Sequence, residues 1–333
     1  MKQTLREIAK ALDLSPATVS KSLSGRPEVS ESTRARVSDY AREIGYVPPT
    51  GRAQAARVAI MIQDDNHVDL NTAFFYDVLI GFKHYAKRCN FEVIILSISA
   101  EEQTECTYDE YIAKNQLGGV FVMGLKTSDP YYTQLSVTTV KTVTLDIPSA
   151  NIAVGSVETD NIKGVRLAIE HLAKLGHKKI GFINGHSKAY VSQDRLSGYM
   201  AAMCNAGLSY DPQMVFEGGY VESGGAAGAD YFINKGTTAI FCASDLMAIG
   251  AMRRFEELDV NVPDSISIVG FDNAPFGAVC STPLTTIAQD RPRIGMTACA
   301  LLDCLMRGVP VNRVVLPPSL LVRASTKKPL VFS

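Results

Sequence analysis

The sequence contains no tryptophan, only five histidines, and no cysteine pair at C-x-x-C spacing. Its seven cysteines stand at 89, 106, 204, 242, 280, 299 and 304, an odd and scattered set. That spacing supports neither a disulfide framework nor a tetrahedral zinc site. No H-x-x-x-H pair is present, so a histidine-held metal is not expected either. No apolar run approaches the ~18–20 residues that a membrane helix needs. The opening residues, Met1-Lys2-Gln3-Thr4-Leu5-Arg6-Glu7, lack the apolar stretch of a secretion signal. Together these absences predict a cytoplasmic chain with reduced thiols and no membrane partner.

Net charge is also nearly absent, at −1, but it is unevenly spread. Residues 1–57 hold ten Lys/Arg against six Asp/Glu, whereas the remainder holds 23 against 28. A small basic head precedes a larger acidic body, the pattern of a polyanion-binding module joined to something else. The chain has 333 residues, enough for two to three ordinary domains. Its 46% apolar and 20% charged residues exclude disorder as the main state.

The head reads as three short helices. Leu5, Ile8, Ala9 and Leu12 fall at i, i+3, i+4 and i+7, one apolar face. Thr4 and Glu7 have capping-box spacing, and Ser15-Pro16 is a cap followed by proline in the first turn. The second helix runs to about Leu23 with Val19 and Leu23 inward, which would expose Ala17, Thr18, Ser20, Lys21 and Ser22. Ser30 caps a third helix carrying Val37, Tyr40, Ala41 and Ile44, stopped by Gly45. This is helix-turn-helix order, and a second helix with small or basic side chains suits a major groove. A plain three-helix cap with a solvated second helix fits the same pattern.

Thr4-Leu5-Arg6-Glu7-Ile8-Ala9, Leu14-Ser15-Pro16-Ala17-Thr18-Val19-Ser20-Lys21, Val29-Ser30 and Ile44-Gly45-Tyr46 resemble the head of LacI/GalR-family transcriptional regulators. The resemblance implies that the second helix reads base edges through Pro16, Ala17 and Lys21. The family usually has Arg where Lys21 stands, and Lys lacks the two-pronged contact to guanine. The candidate DNA contacts are Thr4, Ser15, Pro16, Ala17, Thr18, Ser20, Lys21 and Ser30, with Arg52 in the linker. Family members usually carry a longer linker ending in a hinge helix, whose Leu wedges into the minor groove. Here only Arg52-Ala53-Gln54-Ala55-Ala56-Arg57 follows Val47-Pro48-Pro49-Thr50-Gly51, without Leu. Less operator bending than the family norm is therefore expected.

In the body, apolar runs bounded by turn signals recur at 58–62, 93–98, 119–123, 140–145, 180–183, 239–243 and 266–270. Helical faces lie between them, such as Leu167, Ile169–Leu172 and Leu175 before Gly176. This alternation predicts parallel sheets covered by helices on both faces, in two lobes rather than one large sheet. The expected fold is α/β: a small all-α helix-turn-helix head, then a two-lobed body with two parallel sheets flanked by helices. Expected boundaries are 1–46 for the head and 47–57 for the linker, with 58–333 for the body. The N-lobe would take about 58–157 plus 291–318, and the C-lobe about 158–290 plus 319–333.

Ligand sites in open α/β sheets lie beyond the carboxyl ends of the strands. Polar and aromatic residues gather there: Asp64, Asp65 and Phe74-Phe75, Asn184-Gly185 and Asp194-Arg195, Tyr220, Ser244-Asp245, and Phe271-Asp272-Asn273. Each also has a plain structural role open to it. The motifs His171-Leu172, Leu175-Gly176-His177-Lys178-Lys179-Ile180, Ser244-Asp245-Leu246-Met247-Ala248-Ile249-Gly250, Ile268-Val269-Gly270-Phe271-Asp272-Asn273 and Pro283-Leu284-Thr285-Thr286-Ile287 resemble the effector domain of the same family. That domain shares its fold with periplasmic sugar-binding proteins. The resemblance covers nearly the whole chain and implies effector contacts at Phe74, Phe75, Arg195, Tyr220, Ser244, Asp272 and Gln289. Ser244 stands where Asn is commoner, and the stretch from Asp64 to Ala73 is longer than the usual loop.

Enzyme signatures are weak. Gly185-His186-Ser187-Lys188-Ala189 approximates a nucleophile elbow, but its last position is Ala. No phosphate-binding loop occurs, and the glycines at 218–228 lack G-x-G-x-x-G spacing. The chain is expected to be no enzyme and to need no cofactor or metal. It is read as a homodimeric repressor of a palindromic double-stranded DNA operator, controlled by a small effector between the lobes. A sugar is favoured over a purine-type ligand, because Arg195 and Asp272 together suit a vicinal diol. The alternatives are a small-molecule binding module without DNA function and an enzyme on the same scaffold.

Overall fold

The structure is a computed structural model describing residues 4–23, 28–44, 46, 55–63 and 73–329. The linker residues 47–54, Arg52 among them, lie outside the described residues, as do Asp64 and Asp65. The chain divides into two compact units, Met1–Ala56 and Arg57–Ser333.

The first unit contains α1 (Leu5–Ala11), α2 (Pro16–Leu23) and α3 (Glu31–Glu43). The local signals act as the sequence suggests. The Thr4 amide donates to Glu7 Oε2 at 2.6 Å, and Ser15 Oγ accepts from the Thr18 amide at 3.0 Å. Ser30 Oγ accepts from the Thr33 amide at 3.3 Å. These caps satisfy donors that a helix start leaves unpaired. Ile8, Ala9, Val19, Val37 and Ala41 close the unit's own core, with Leu5, Leu12, Leu14 and Leu23 around them. One expectation is corrected. Ser22 is buried, not exposed, because it donates to the Thr18 carbonyl at 2.8 Å and turns inward beside Val19.

The second unit runs β1 (Ala56–Gln63), α4 (Ala73–Cys89), β2 (Phe91–Ile98), α5 (Tyr108–Lys114), β3 (Gly119–Met123), α6 (Pro130–Gln134), β4 (Thr142–Leu145) and β5 (Val154–Thr159). It continues with α7 (Asn161–Leu175), β6 (Ile180–Asn184), α8 (Tyr190–Asn205), β7 (Val215–Glu217), α9 (Glu222–Phe232), β8 (Ala239–Cys242) and α10 (Asp245–Glu257). Last come β9 (Ser267–Asp272), α11 (Pro275–Val279), β10 (Thr285–Ala288), α12 (Arg291–Met306), β11 (Arg313–Leu316) and β12 (Ser319–Leu321).

Two six-stranded sheets result, ordered β11-β5-β4-β3-β1-β2 and β12-β10-β9-β8-β6-β7. Pairing is parallel between neighbours such as β1–β3, β4–β5, β6–β8 and β9–β10, while β12 runs antiparallel to β10. Every residue of β3, β6 and β8 is buried, which explains their apolar sequence, with Asn184 at the end of β6 the one polar side chain. β5 is buried throughout as well, although it reads Val-Gly-Ser-Val-Glu-Thr. Its polar side chains find partners: Ser156 donates to Glu158 at 2.7 Å, and Arg313 donates to Glu158 from Nε and Nη2 at 3.0 and 2.6 Å. That composition hid the strand from a periodicity reading.

The chain crosses between the sheets at β5 to α7, β10 to α12 and β11 to β12. α7 therefore covers the second sheet, and α12 returns to pack on α4 over the first. The α4–α12 contact depends on two glycines. A Cβ on Gly295 would lie 1.8 Å from the Val78 carbonyl oxygen, and one on Gly81 would lie 2.0 Å from that of Pro292.

Candidate functional site

The carboxyl ends of both sets of strands, together with two of the crossovers, frame one polar cluster. Arg195, on the second turn of α8, is 4% exposed. Its Nε donates to Asn161 Oδ1 at 2.9 Å, its Nη1 donates to the Ala243 carbonyl, and its guanidinium lies 3.8 Å from the centroid of the Phe271 ring. A guanidinium is weakly hydrated and planar, so stacking and multiple acceptors make its burial tolerable. Arg195 is thus a positioned cation, not a surface partner of Asp194.

Asp272 ends β9 with φ +118, an uncommon backbone region for a side-chain-bearing residue. Its Oδ1 accepts from Gln289 Nε2 at 2.6 Å, while Gln289 Oε1 accepts from Thr159 at 2.5 Å. Gln289 therefore ties the β5 crossover to the β10 crossover. Tyr220 has φ +64, and its hydroxyl sits 2.9 Å from that of Ser192. Its ring lies over Gly185, where a Cβ would come within 1.9 Å of ring carbon. Backbone strain of this kind collects at ligand clamps because surrounding contacts must enforce it. Ser244 plays the local part open to it, since its Oγ caps α10 by accepting from the Met247 amide at 3.2 Å.

Phe74 and Phe75 start α4 with rings edge-on at 5.6 Å, packed against the core of the first sheet. Asp77, one turn on along α4, pairs with Arg291 at 3.0 Å. The structure thus unites Arg195, Tyr220, Asp272 and Gln289, sets Ser244 beside them, and leaves the phenylalanines packed against the core of the first sheet.

Three further side chains belong to this cluster. Asn161 opens α7 and holds Arg195. Asp245 is fully buried and accepts from Thr286 Oγ1 and the Ala274 amide, both at 2.6 Å. Asp146 follows β4 with φ +58, and its Oδ1 accepts from Asn161 at 3.4 Å. The signal for Asp146 was available, a carboxylate directly after an apolar run. Asn161 gave none, because β5 was not legible as a strand.

The electrostatics are crowded with acid. Removal from water pushes the Asp146 carboxyl up to about 7, opposed by the charge of Arg195 and reinforced by Glu158. Desolvation likewise raises Asp245, with the Asp272 charge adding to the shift, and raises Asp272 against the opposing charge of Arg195 and the bond from Gln289. A carboxyl raised in the folded state stabilises fully below its unfolded value near 4, and that contribution disappears as pH rises through 7. Asp146→Asn removes this dependence, and Asn tolerates the left-handed backbone. Thermal melts of wild type and variant should coincide near pH 4, with the variant melting higher at pH 8. Parallel curves over that range would show that Asp146 ionises freely.

Ser187, the nucleophile position of the elbow-like segment, is exposed, and His186 Nδ1 accepts from the Lys188 amide at 3.0 Å. Among the described residues, no group of three or more His, Cys, Asp or Glu is arranged to hold a metal ion. No described helix is long and apolar enough to cross a membrane.

Comparison with known proteins places both units. Residues 4–49 match the family model for bacterial regulatory proteins of the lacI family, and residues 169–326 match that for the periplasmic binding protein-like domain. The transcriptional repressor CytR of Escherichia coli (strain K12) is 31% identical over 332 residues, covering 97% of this chain and 96% of its own. The ribose operon repressor of Haemophilus influenzae (strain ATCC 51907 / DSM 11121 / KW20 / Rd) is 26% identical, covering 97% and 98%. Among solved structures, the transcriptional regulator CelR in complex with cellobiose superposes with a TM-score of 0.75 at 27% identity, over 97% of this chain and 99% of that one. These relatives are transcriptional regulators. With a helix-turn-helix head, a periplasmic-binding-protein-like body and a near full-length relative above 30% identity, the chain belongs to the LacI family of bacterial transcriptional regulators.

Proposed function

We propose that this regulator is an operator-binding repressor whose DNA affinity is set by a small, neutral, sugar-like effector held between the two sheets of its body. The observation that carries the reading is the tie made by Gln289. It bonds Asp272 and Thr159 at once, so a ligand bonded to Arg195 and Asp272 acts directly on two of the three crossovers joining the lobes. Arg195 and Asp146 supply a fork donor and an acceptor across the same space, as a polyol requires, and Tyr220 offers a ring face. The cellobiose-bound relative supports a sugar.

The head, residues 1–46, supplies the DNA contacts in this reading, with α2 in the major groove. Ala17, Ser20 and Lys21 are exposed on one side of α2, while Ser15, Ser30 and Thr4 cap helix starts that suit phosphates. Body residues 58–333 bind the effector and pair two copies. Exposed apolar side chains on both lobes favour that pairing: Tyr76 and Ile80 on α4, Ile95 on β2, and Phe276 and Val279 on α11.

The test is selection of a binding site from random duplex DNA, followed by gel shifts with and without a panel of neutral sugars. A palindromic site, a dimer in sedimentation, and a 5- to 150-fold change in affinity with one sugar are expected, from couplings of ~1–3 kcal/mol. No enrichment of any sequence would overturn the DNA reading and favour a binding module alone.

Lys21 gives a sharper expectation. Its Nζ lies 3.0 Å from Glu28, in an exposed pair worth little to the fold. Lys21→Ala should weaken specific binding by roughly 1–3 kcal/mol without changing thermal stability. Unchanged operator affinity at fixed salt would remove Lys21 from base recognition.

A further inference from the structure

Arg291 was no candidate in the sequence, yet it is the least satisfied cation near the cluster. It opens α12 directly after the β10 crossover and is 6% exposed. Two groups from opposite lobes hold it: Asp77 on α4, paired at 3.0 Å, and the Asn273 carbonyl beyond β9, which accepts from Nη2 at 3.2 Å. Its Nη1 is buried and has no hydrogen-bond partner among the described residues. Buried polar groups are nearly always paired, and a guanidinium N–H is among the costliest to leave alone. The contrast with Arg195 is direct, since that guanidinium is anchored through Nε, Nη1 and its stacked face.

The surroundings indicate what is missing. Phe74 lies one helical turn before Asp77 on the same helix, and burial raises the Asp272 carboxyl against the opposing charges of Arg195 and Arg291. Two carboxylates, Asp77 and Asp272, already balance this cation, so the local field does not call for an anion. The unpaired N–H calls for a neutral oxygen.

We propose that Arg291 is a specificity-determining residue of the effector site, its Nη1 donating to a hydroxyl or ring oxygen of the bound effector on the Phe74 side of the cleft. This rests on the reading that a neutral effector binds between the lobes. Asp77 and Asn273 pre-position the guanidinium, so the bond forms without ordering a flexible side chain. An effector lacking that oxygen leaves a buried donor unpaired and is rejected. The contact also spans the lobes, because the groups that hold Arg291 come from both.

The experiment uses the full-length protein and two variants, Arg291→Met and Arg291→Lys. Thermal melts are recorded alone and with D-ribose, D-glucose, cellobiose, adenosine and cytidine, and calorimetry follows for any compound that raises the wild-type Tm. Both variants should bind that compound at least about tenfold more weakly. Ligand-free Arg291→Met should melt within a few degrees of wild type, because loss of the orphaned donor offsets loss of the pair with the partly exposed Asp77. Wild-type affinity in Arg291→Met overturns the proposal. So does a ligand-free Arg291→Met that melts well below wild type or does not fold, since the guanidinium then serves the fold. If no compound stabilises wild type, the neutral-effector reading beneath fails, and the ligand-free melts still decide whether Arg291 is held for the fold.

Discussion

Arg195→Ala is expected to abolish the effector response and to destabilise the body at the same time. The side chain is buried, bonded to Asn161 and Ala243 and stacked on Phe271. Truncation leaves a cavity above the Phe271 ring and removes the one charge that lowers both Asp146 and Asp272. Breaking a buried charge network from one side costs about 3–5 kcal/mol. Effector hydroxyls deprived of the fork add at least ~2 kcal/mol on the binding side, a loss of about thirtyfold or more. The DNA-facing unit has its own core around Ile8, Val19 and Val37, so effector-free operator affinity should stay near wild type. The measurement is calorimetry with whichever sugar stabilises the wild type, alongside a melt and a gel shift. Arg195→Lys separates the roles, because it keeps the charge while losing the stacked fork. Wild-type affinity in Arg195→Ala would place the effector elsewhere.

Gly295→Val is expected to destabilise the first lobe strongly. α4 and α12 touch backbone to backbone, with Gly295 facing the Val78 carbonyl and Gly81 facing that of Pro292. A side chain there meets main chain, which no rotamer change can clear. The helices must separate, opening a core built from Val78, Phe82, Ile294 and Ala298. Ordinary overpacking costs ~1–3 kcal/mol, and a clash with rigid backbone on both sides should reach at least ~3. A Tm decrease of ~6 °C or more follows for a unit of this size. The effector response should fall too, since α4 carries Phe74 and Asp77 and α12 carries Arg291. Circular dichroism melts decide it: a variant melting with the wild type would mean that the two helices part without cost.

The sequence by itself determined most of what has a local cause. Capping pairs at Thr4–Glu7 and Ser15–Thr18, and apolar spacing in the three short helices, specified the head, because a helix start needs only its neighbours in sequence. Apolar runs specified β1, β3, β6 and β8, since a parallel strand covered on both faces is usually apolar nearly throughout. Strands of three or four residues, such as β7, β11 and β12, carry too few positions to show a period. β5 was lost for a different reason: its buried Ser156 and Glu158 are satisfied by each other and by Arg313, which lies more than 150 residues away. The candidate site divides along the same line. Arg195, Tyr220 and Asp272 were legible because they follow apolar runs, and Gln289 through the family resemblance alone. Their roles were not, since a buried, stacked Arg195 and a Gln289 bridging Thr159 to Asp272 exist only when distant crossovers meet. Ser22 turned inward through a bond to its own helix, which the apolar pattern does not register. Asn161 and Arg291 depended wholly on the tertiary structure: each opens a helix just beyond a crossover, and only the return of the chain between the two sheets brings Asn161 to Arg195 and Arg291 to Asp77.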